Sequence, residues 1–406
     1  MTVAEPLRSM REGTVVDGVA LTRAQAAALA ATRLVSVTPT PDGWQVRASH
    51  LVGAITCGEI EVRVAPKVGA ASVLRMLARV HGAHRLDVDA ARVGLAADAR
   101  ISTVLAVLFE QEARTALAQG ARRGYRTEDQ SLPVLRGRLR IMEQSLRRFD
   151  ALSPLEVTVD EWTLDTDENR LLRAAVRVLL RLPGIPVPCR GGLRRIDQRL
   201  GEVTRVPVGT RPPAWTPTRL NAHLHRLLHL ADLVLDGASV EHRAGDVVAH
   251  GWVLDMAWLF EALVAEVLRE HLHRGSVGRL RTQATHDLDP SGHLKIRPDV
   301  EIVSAGRAIA VADTKYKLLD DDGRFPNADA YQLLTYAARL ALKDAHLIYA
   351  GAPGEVPAHY PITGAGVTLH VHAVDITRGL DEVEGQIRGL APHLAAIWQR
   401  DPVGSA

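Results

Sequence analysis

From residue 256 the chain carries apolar side chains at positions 256, 259, 260, 263, 264, 267 and 268. That 3.6-residue spacing draws one continuous stripe along a helix over 256–272 and requires a partner layer to cover it. The following segments supply the layer. Strands are expected at 298–303 and 308–316, a helix at 328–342, strands at 345–350 and 367–376, and a closing helix at 380–398. Helix, strand, strand, helix, strand in that order implies an α/β sheet with helical cover.

The rest of the 406 residues reads differently, so the fold class expected is α/β locally and α+β overall. A mixed β/α N-terminal domain is expected over 1–100. It holds a helix at 22–32, an extended stretch at 43–46, a half-exposed strand at 58–67 and a helix at 72–80. In that strand Ile60, Val62 and Val64 alternate with Glu59, Glu61 and Arg63, and Pro66 ends it. A mainly helical, arginine-rich middle region follows over 101–245, with helices at 103–119, 167–182 and 218–235. Pro- and Gly-rich stretches at 183–192 and 207–217 separate them, the second containing Arg211-Pro-Pro. Residues 135–141, apolar and basic in turn, read as a strand. The third domain is 246–406.

Composition excludes several classes. No apolar run nears the ~18 residues of a membrane-spanning helix, and the first residues lack the basic-then-apolar layout of a secretory signal. Cys57 and Cys189 are the only cysteines, too few for a disulfide framework or a cysteine zinc site. The setting expected is a reducing cytoplasm. Net charge is only +2, but arginine is concentrated in two blocks, 122–148 and 170–205, each suited either to phosphate contacts or to solvated helix faces.

Lysine is scarce, and two of the few fall in Asp313-Thr-Lys-Tyr-Lys317. Hydrolysing a phosphodiester needs an activated water, neutralised phosphate oxygens and a stabilised leaving alkoxide. Mg²⁺ held by carboxylates, with a lysine assisting, supplies all three. Asp313 and Lys315 are two apart on a strand and leave the same face. Asp299 joins them if Ser304-Ala305-Gly306 is a three-residue hairpin loop, for then Asp299 opposes Val311, diagonal to Asp313. A two-residue loop would send Asp299 to the other face. Gln332 and Tyr336, four apart on the next helix, share a face that points back at the site. Glu261 lies at the edge of the apolar stripe, placed as an extra metal ligand. The backbone carbonyl of Thr314 offers a further oxygen. Taken singly, each has an ordinary reading: a turn before a strand, a surface ion pair, helix packing, a solvated glutamate. Their order and spacing together favour a nuclease site.

Histidines give weaker patterns. His225 and His229 form an i, i+4 pair, with His223 nearby, but no glutamate follows the first as in a zinc protease. His370 and His372 share a strand face and are expected at the surface.

The motifs Asp255-Met-Ala-Trp-Leu-Phe-Glu261, Arg297-Pro-Asp-Val300, Asp313-Thr-Lys-Tyr-Lys317, Gln332-x-x-x-Tyr336 and Leu347-Ile-Tyr-Ala350 resemble those of the McrC family. These are endonuclease subunits of McrBC modification-dependent restriction systems, in the PD-(D/E)xK superfamily. His50-Leu-Val-Gly53, Val64-Ala-Pro-Lys67, Leu135-Arg-Gly-Arg138 and Asp165-Thr-Asp-Glu-Asn-Arg-Leu-Leu172 extend the resemblance over about 50–350. It implies a partner, an McrB-like AAA+ GTPase hexamer whose GTP hydrolysis the chain stimulates through its N-terminal and middle regions. It implies double-stranded DNA as substrate and Mg²⁺ as cofactor. The chain itself has no Gly-x-x-x-x-Gly-Lys-Ser/Thr loop, so no nucleotide is expected on it. A double-strand cut further implies dimerisation of assemblies or their collision. An autonomous repair or resolvase nuclease and a non-catalytic regulator of a GTPase ring remain the alternatives.

Overall fold

The structure is a computed structural model. It describes residues 6–81, 101–118, 120–149, 151, 153–182, 184–207, 210, 213–244, 246–275, 278–317, 326–351 and 358–395. They form a mixed α+β fold in two compact units. One unit combines the chain up to residue 81 with the chain from Val240 onward; the other is built from Ser102–Ser239.

The first unit departs from the sequence-based domains. A five-stranded sheet draws Met10–Arg11, Leu51–Cys57 and Ile60–Ala65 from the N-terminal region and Ala238–Ala244 and Val247–Asp255 from far downstream. The described residues of 6–81 and 246–395 therefore share one unit, and a boundary at 245 cuts a strand pair. The cause is backbone pairing: Val247–Asp255 runs antiparallel to Leu51–Cys57 from Ala249↔Cys57 to Asp255↔Leu51. Gly53 permits it. With φ at +144, a Cβ there would lie 2.1 Å from the Trp252 carbonyl oxygen, which no side chain tolerates.

Met256–Gly275 (α1) begins where that sheet ends. Asp255 caps it, Oδ1 accepting from the Ala257 and Trp258 N–H groups at 2.8 and 3.2 Å. Every residue of the predicted stripe is at most 2% exposed. A six-stranded sheet follows: Arg279–Thr282 (β1), Val300–Ser304 (β2), Arg307–Lys315 (β3), Asp344–Ala350 (β4), Ala358–Ile362 (β5) and Val367–Val374 (β6), in spatial order β1-β2-β3-β4-β6-β5. Its first three strands are antiparallel; β3, β4 and β6 are parallel. Asn327–Leu340 (α2) packs Leu333, Tyr336 and Ala337 against Val311, Leu347 and Tyr349. Leu380–Ala395 (α3) contacts β3, β6 and α1. The expected closing helix reached 398, and its last three positions lie outside the described residues. Arg79, 5% exposed, ties Ala70–Val80 to α1 and α3 through Glu270 and Glu384, both at 2.7 Å.

The middle unit is less uniformly helical than expected. Ile101–Ala116, Asp167–Arg181 and His225–Asp236 match the expected helices, the last starting later because Ala222–Leu224 is a 3₁₀ turn. A further helix, Val187–Arg199, occupies part of the stretch read as a separator, with Pro188 in its first turn where no donor is missed. Gly124–Leu132 pairs along its length with Leu155–Thr163, and only Arg138–Leu139 of the expected 135–141 strand joins them. Residues 211 and 212 of the Arg211-Pro-Pro run lie outside the described residues. Several arginines of the two basic blocks serve internal pairs: Arg122 with Glu168, Arg126 and Arg170 with Asp165, Arg173 with Asp197. Arg136 and Arg147 remain 66% and 67% exposed.

Candidate active site

The β2–β3 hairpin sets the geometry by a different route from the one expected. Ser304 pairs with Arg307, so the loop has two residues, with Ala305 and Gly306 at φ of +48 and +80. Positive φ at both positions is the two-residue turn that fits strand twist. Alone, that loop would turn Asp299 away from Asp313. However, Val303 pairs with Ala308 and Ile302 with Ala310, leaving Ile309 as a bulge. The extra residue restores the parity. Val300 then opposes Ala312, and the residue before it, Asp299, falls level with Asp313 rather than with Val311.

Asp299 is held by its neighbours. Its Oδ2 accepts from the Thr314 N–H at 2.8 Å and from the Thr314 hydroxyl at 2.9 Å; its Oδ1 accepts from Gln283 Nε2 at 3.0 Å. Thr314 thus acts on Asp299 through these two donors, in addition to the carbonyl expected to face the site.

Asp313 is 2% exposed. Lys315 Nζ pairs with its Oδ2 at 2.5 Å. Burial first, and the Asp299 charge second, push the Asp313 carboxyl up to about 6. The ammonium continues outward, donating to Gln332 Oε1 at 2.9 Å, and Gln332 Nε2 donates to the Tyr336 hydroxyl at 2.7 Å. Asp313, Lys315, Gln332 and Tyr336 therefore form one line from the end of β3 to α2. Tyr336 is 5% exposed, so the far end of the line is fixed by packing.

Glu261 enters from α1. Gln283 Nε2 donates to its Oε1 as well as to Asp299. Burial, then the Asp299 charge, push its carboxyl up to about 7. Among the described residues, no three His, Cys, Asp or Glu side chains form a ready metal cage.

Sequence reasoning missed two features. Gln283 carries no motif. Asp329, 6% exposed, accepts from the Tyr349 hydroxyl at 2.6 Å and pairs with Lys317 Nζ at 2.6 Å. Its place three residues before Gln332, on the same helix face, was the available signal.

The histidines are structural. His225 and His229 pack on Trp215, with ring centroids 5.5 and 5.0 Å apart. His370 and His372 correct the expectation of a surface pair. His372 is 6% exposed and faces the buried His346, Nε2 to Nδ1 at 3.0 Å. The β4–β6 register sets His346 beside His370, and His393 on α3 lies 6.2 Å from His372.

An α+β protein with two acids and a lysine gathered at the end of the inner strands of a mixed sheet is the class that fold and site define. The profile of the family described as McrBC 5-methylcytosine restriction system component matches residues 46–350, and the chain belongs to that family. The match covers nearly the span over which the motifs resemble McrC.

Among solved structures, the chain resembles one from Thermococcus gammatolerans described as a refined half-complex from a tetradecameric assembly of McrB AAA+ hexamers with bound McrC. Identity is 18%, TM-score 0.57, with 94% of this chain and 98% of that chain covered. This likeness shows the fold. A second, the cryo-EM structure of the Thermococcus gammatolerans McrBC complex, matches at 20% identity and TM-score 0.41 over 65% of this chain and 88% of that one. A comparison with curated proteins gave no match. Among the described residues no helix is long and apolar enough to cross a membrane.

Proposed function

We propose that the chain is the McrC-type endonuclease subunit of a restriction system, with a PD-(D/E)xK site that hydrolyses DNA phosphodiesters. The observation that carries the reading is the line from Asp313 through Lys315 to Gln332 and Tyr336, with Asp299 level beside Asp313. The donor set fits Mg²⁺. It is all oxygen, and its three acids, Glu261, Asp299 and Asp313, stand against one lysine. Asp299 and Asp313 would hold the ion, with Glu261 and the Thr314 carbonyl as further oxygens. Two carboxylates suffice, because Mg²⁺ keeps waters and phosphate oxygens in its other positions. When bound, it would screen the phosphate oxygens and acidify a water.

The chain's own groups do the rest. Lys315 presents an ammonium to the charge that develops on the phosphate. Gln332 holds that ammonium in place, since its other end is anchored on Tyr336. Asp299 is oriented by the two Thr314 donors.

The partner proposed is an McrB-like AAA+ GTPase hexamer. Family membership supports it. The middle unit offers a surface for it: Ile141, Met142, Leu146 and Phe149 are 68–88% exposed, more than single surface apolars require. One site cuts one strand, so a double-strand break calls for two assemblies. The neighbouring fold's origin in a half-complex of a larger assembly agrees with that reading.

The test is to purify the chain with its candidate GTPase ring and replace Asp313 by Ala. Loss of DNA cutting with GTPase stimulation retained is the expected result. Unchanged cutting rejects the site, and cutting by the chain with Mg²⁺ alone favours an autonomous nuclease.

A further inference from the structure

Gln283 follows β1 with φ at +54, a left-handed backbone that costs a non-glycine residue roughly 1–2 kcal/mol. Among the described residues, the others of this kind sit where chain reversals call for them: Arg33 and Ala341 after helices, Ala305 in the hairpin turn. Gln283 is instead clasped by the site. Its N–H donates to the Asp299 carbonyl at 3.3 Å, and its own carbonyl accepts from Arg297 Nε at 3.3 Å. The conformation aims the carboxamide between two acids from different elements, and Nε2 donates to both Glu261 Oε1 and Asp299 Oδ1. The carboxamide nitrogen has two hydrogens, one for each acid. Without it, two partly buried carboxylates would face each other and separate. A glutamine that keeps a strained backbone and gives both its donors to acids serves the site rather than the fold.

We infer that Gln283 is a positioning residue that sets the spacing of Glu261 and Asp299, and so makes Glu261 part of the cation-holding set. The inference rests on the proposed nuclease reading. Two substitutions separate a positioning role from a structural one. Gln283→Gly accepts the left-handed backbone freely and removes the bridge. Gln283→Asn tolerates that backbone and keeps the amide, but is one methylene too short to span both acids.

The experiment titrates the full chain with Mn²⁺ by calorimetry and follows thermal unfolding in parallel. Both variants are expected to bind Mn²⁺ about tenfold more weakly, with the glycine variant unfolding at or above the wild-type temperature. Glu261→Gln should weaken binding similarly, and the Gln283→Gly/Glu261→Gln double variant should add nothing further, because both act through one ligand. Wild-type affinity in Gln283→Gly, with binding abolished in Asp313→Ala, overturns the role of Gln283 and leaves the nuclease reading standing. No Mn²⁺ binding by the wild-type chain overturns both.

Discussion

Tyr316 donates a hydrogen bond from its hydroxyl to Glu12 Oε1 at 3.1 Å, joining the neighbour of Lys315 to a residue 304 positions earlier. Glu12 is 8% exposed and accepts also from the Lys67 N–H at 3.2 Å. Tyr316→Phe leaves a buried carboxylate one donor short, which costs about 1–3 kcal/mol. Urea unfolding measures it. A midpoint equal to wild type would mean the Lys67 N–H alone satisfies the acid.

The raised Glu261 carboxyl makes the cation-free chain pH-sensitive. A folded pKa above the unfolded one gives stability that is full below about 4.5 and lost as pH climbs through about 7. Glu261→Gln removes this penalty. In EDTA the variant should be more stable than wild type at pH 8, on the order of 1–3 kcal/mol, and closely matched at pH 4.5. Equal stability differences at both pH values would contradict the assignment.

His372 works in the opposite direction. Burial, then the neighbouring His370 and His393, push it down to about 4, and His346 is lowered by burial and its histidine neighbours. Stability from keeping His372 neutral is full above about 6.5 and disappears as pH falls toward 4. His372→Gln should flatten the melting temperature over that interval relative to wild type. A parallel decline in both proteins would place the acid sensitivity elsewhere.

The apolar surface of the middle unit gives a binding prediction. Leu146 and Phe149 are 81% and 88% exposed, so serine at both should move stability by less than about 0.5 kcal/mol. Association with the GTPase ring, followed by sedimentation, should weaken at least tenfold. Undiminished association would remove this face from the interface.

The features legible in the sequence were those with a strong period or a fixed offset. The α1 stripe is buried residue for residue, and Asp313 and Lys315 share a face because two positions on a strand leave no other choice. The hairpin differs from the sequence expectation in two offsetting ways: the loop is one residue shorter, and the Ile309 bulge adds one back. Neither an alanine at positive φ in the turn nor a bulge at an isoleucine has a residue signature of its own. Gly124–Leu132 escaped notice because its residues alternate between exposed and half-buried, with no apolar face to mark it. The union of the chain's first and last thirds was invisible, since strand pairing between 51–57 and 249–255 leaves no local trace. Gln283 was missed for the same reason; its meaning comes from two acids at 22 and 16 residues' remove.

The shared five-stranded sheet also constrains synthesis. On the ribosome, Leu51–Cys57 emerges and folds back on Ile60–Ala65, but its other edge stays open until Val247–Asp255 arrives. At translation speeds of roughly 5–20 residues per second, that wait is on the order of ten seconds or more. An unpaired apolar strand edge over that time is a site for mispairing, so nascent chains stalled before residue 247 should need a chaperone that chains released whole do not.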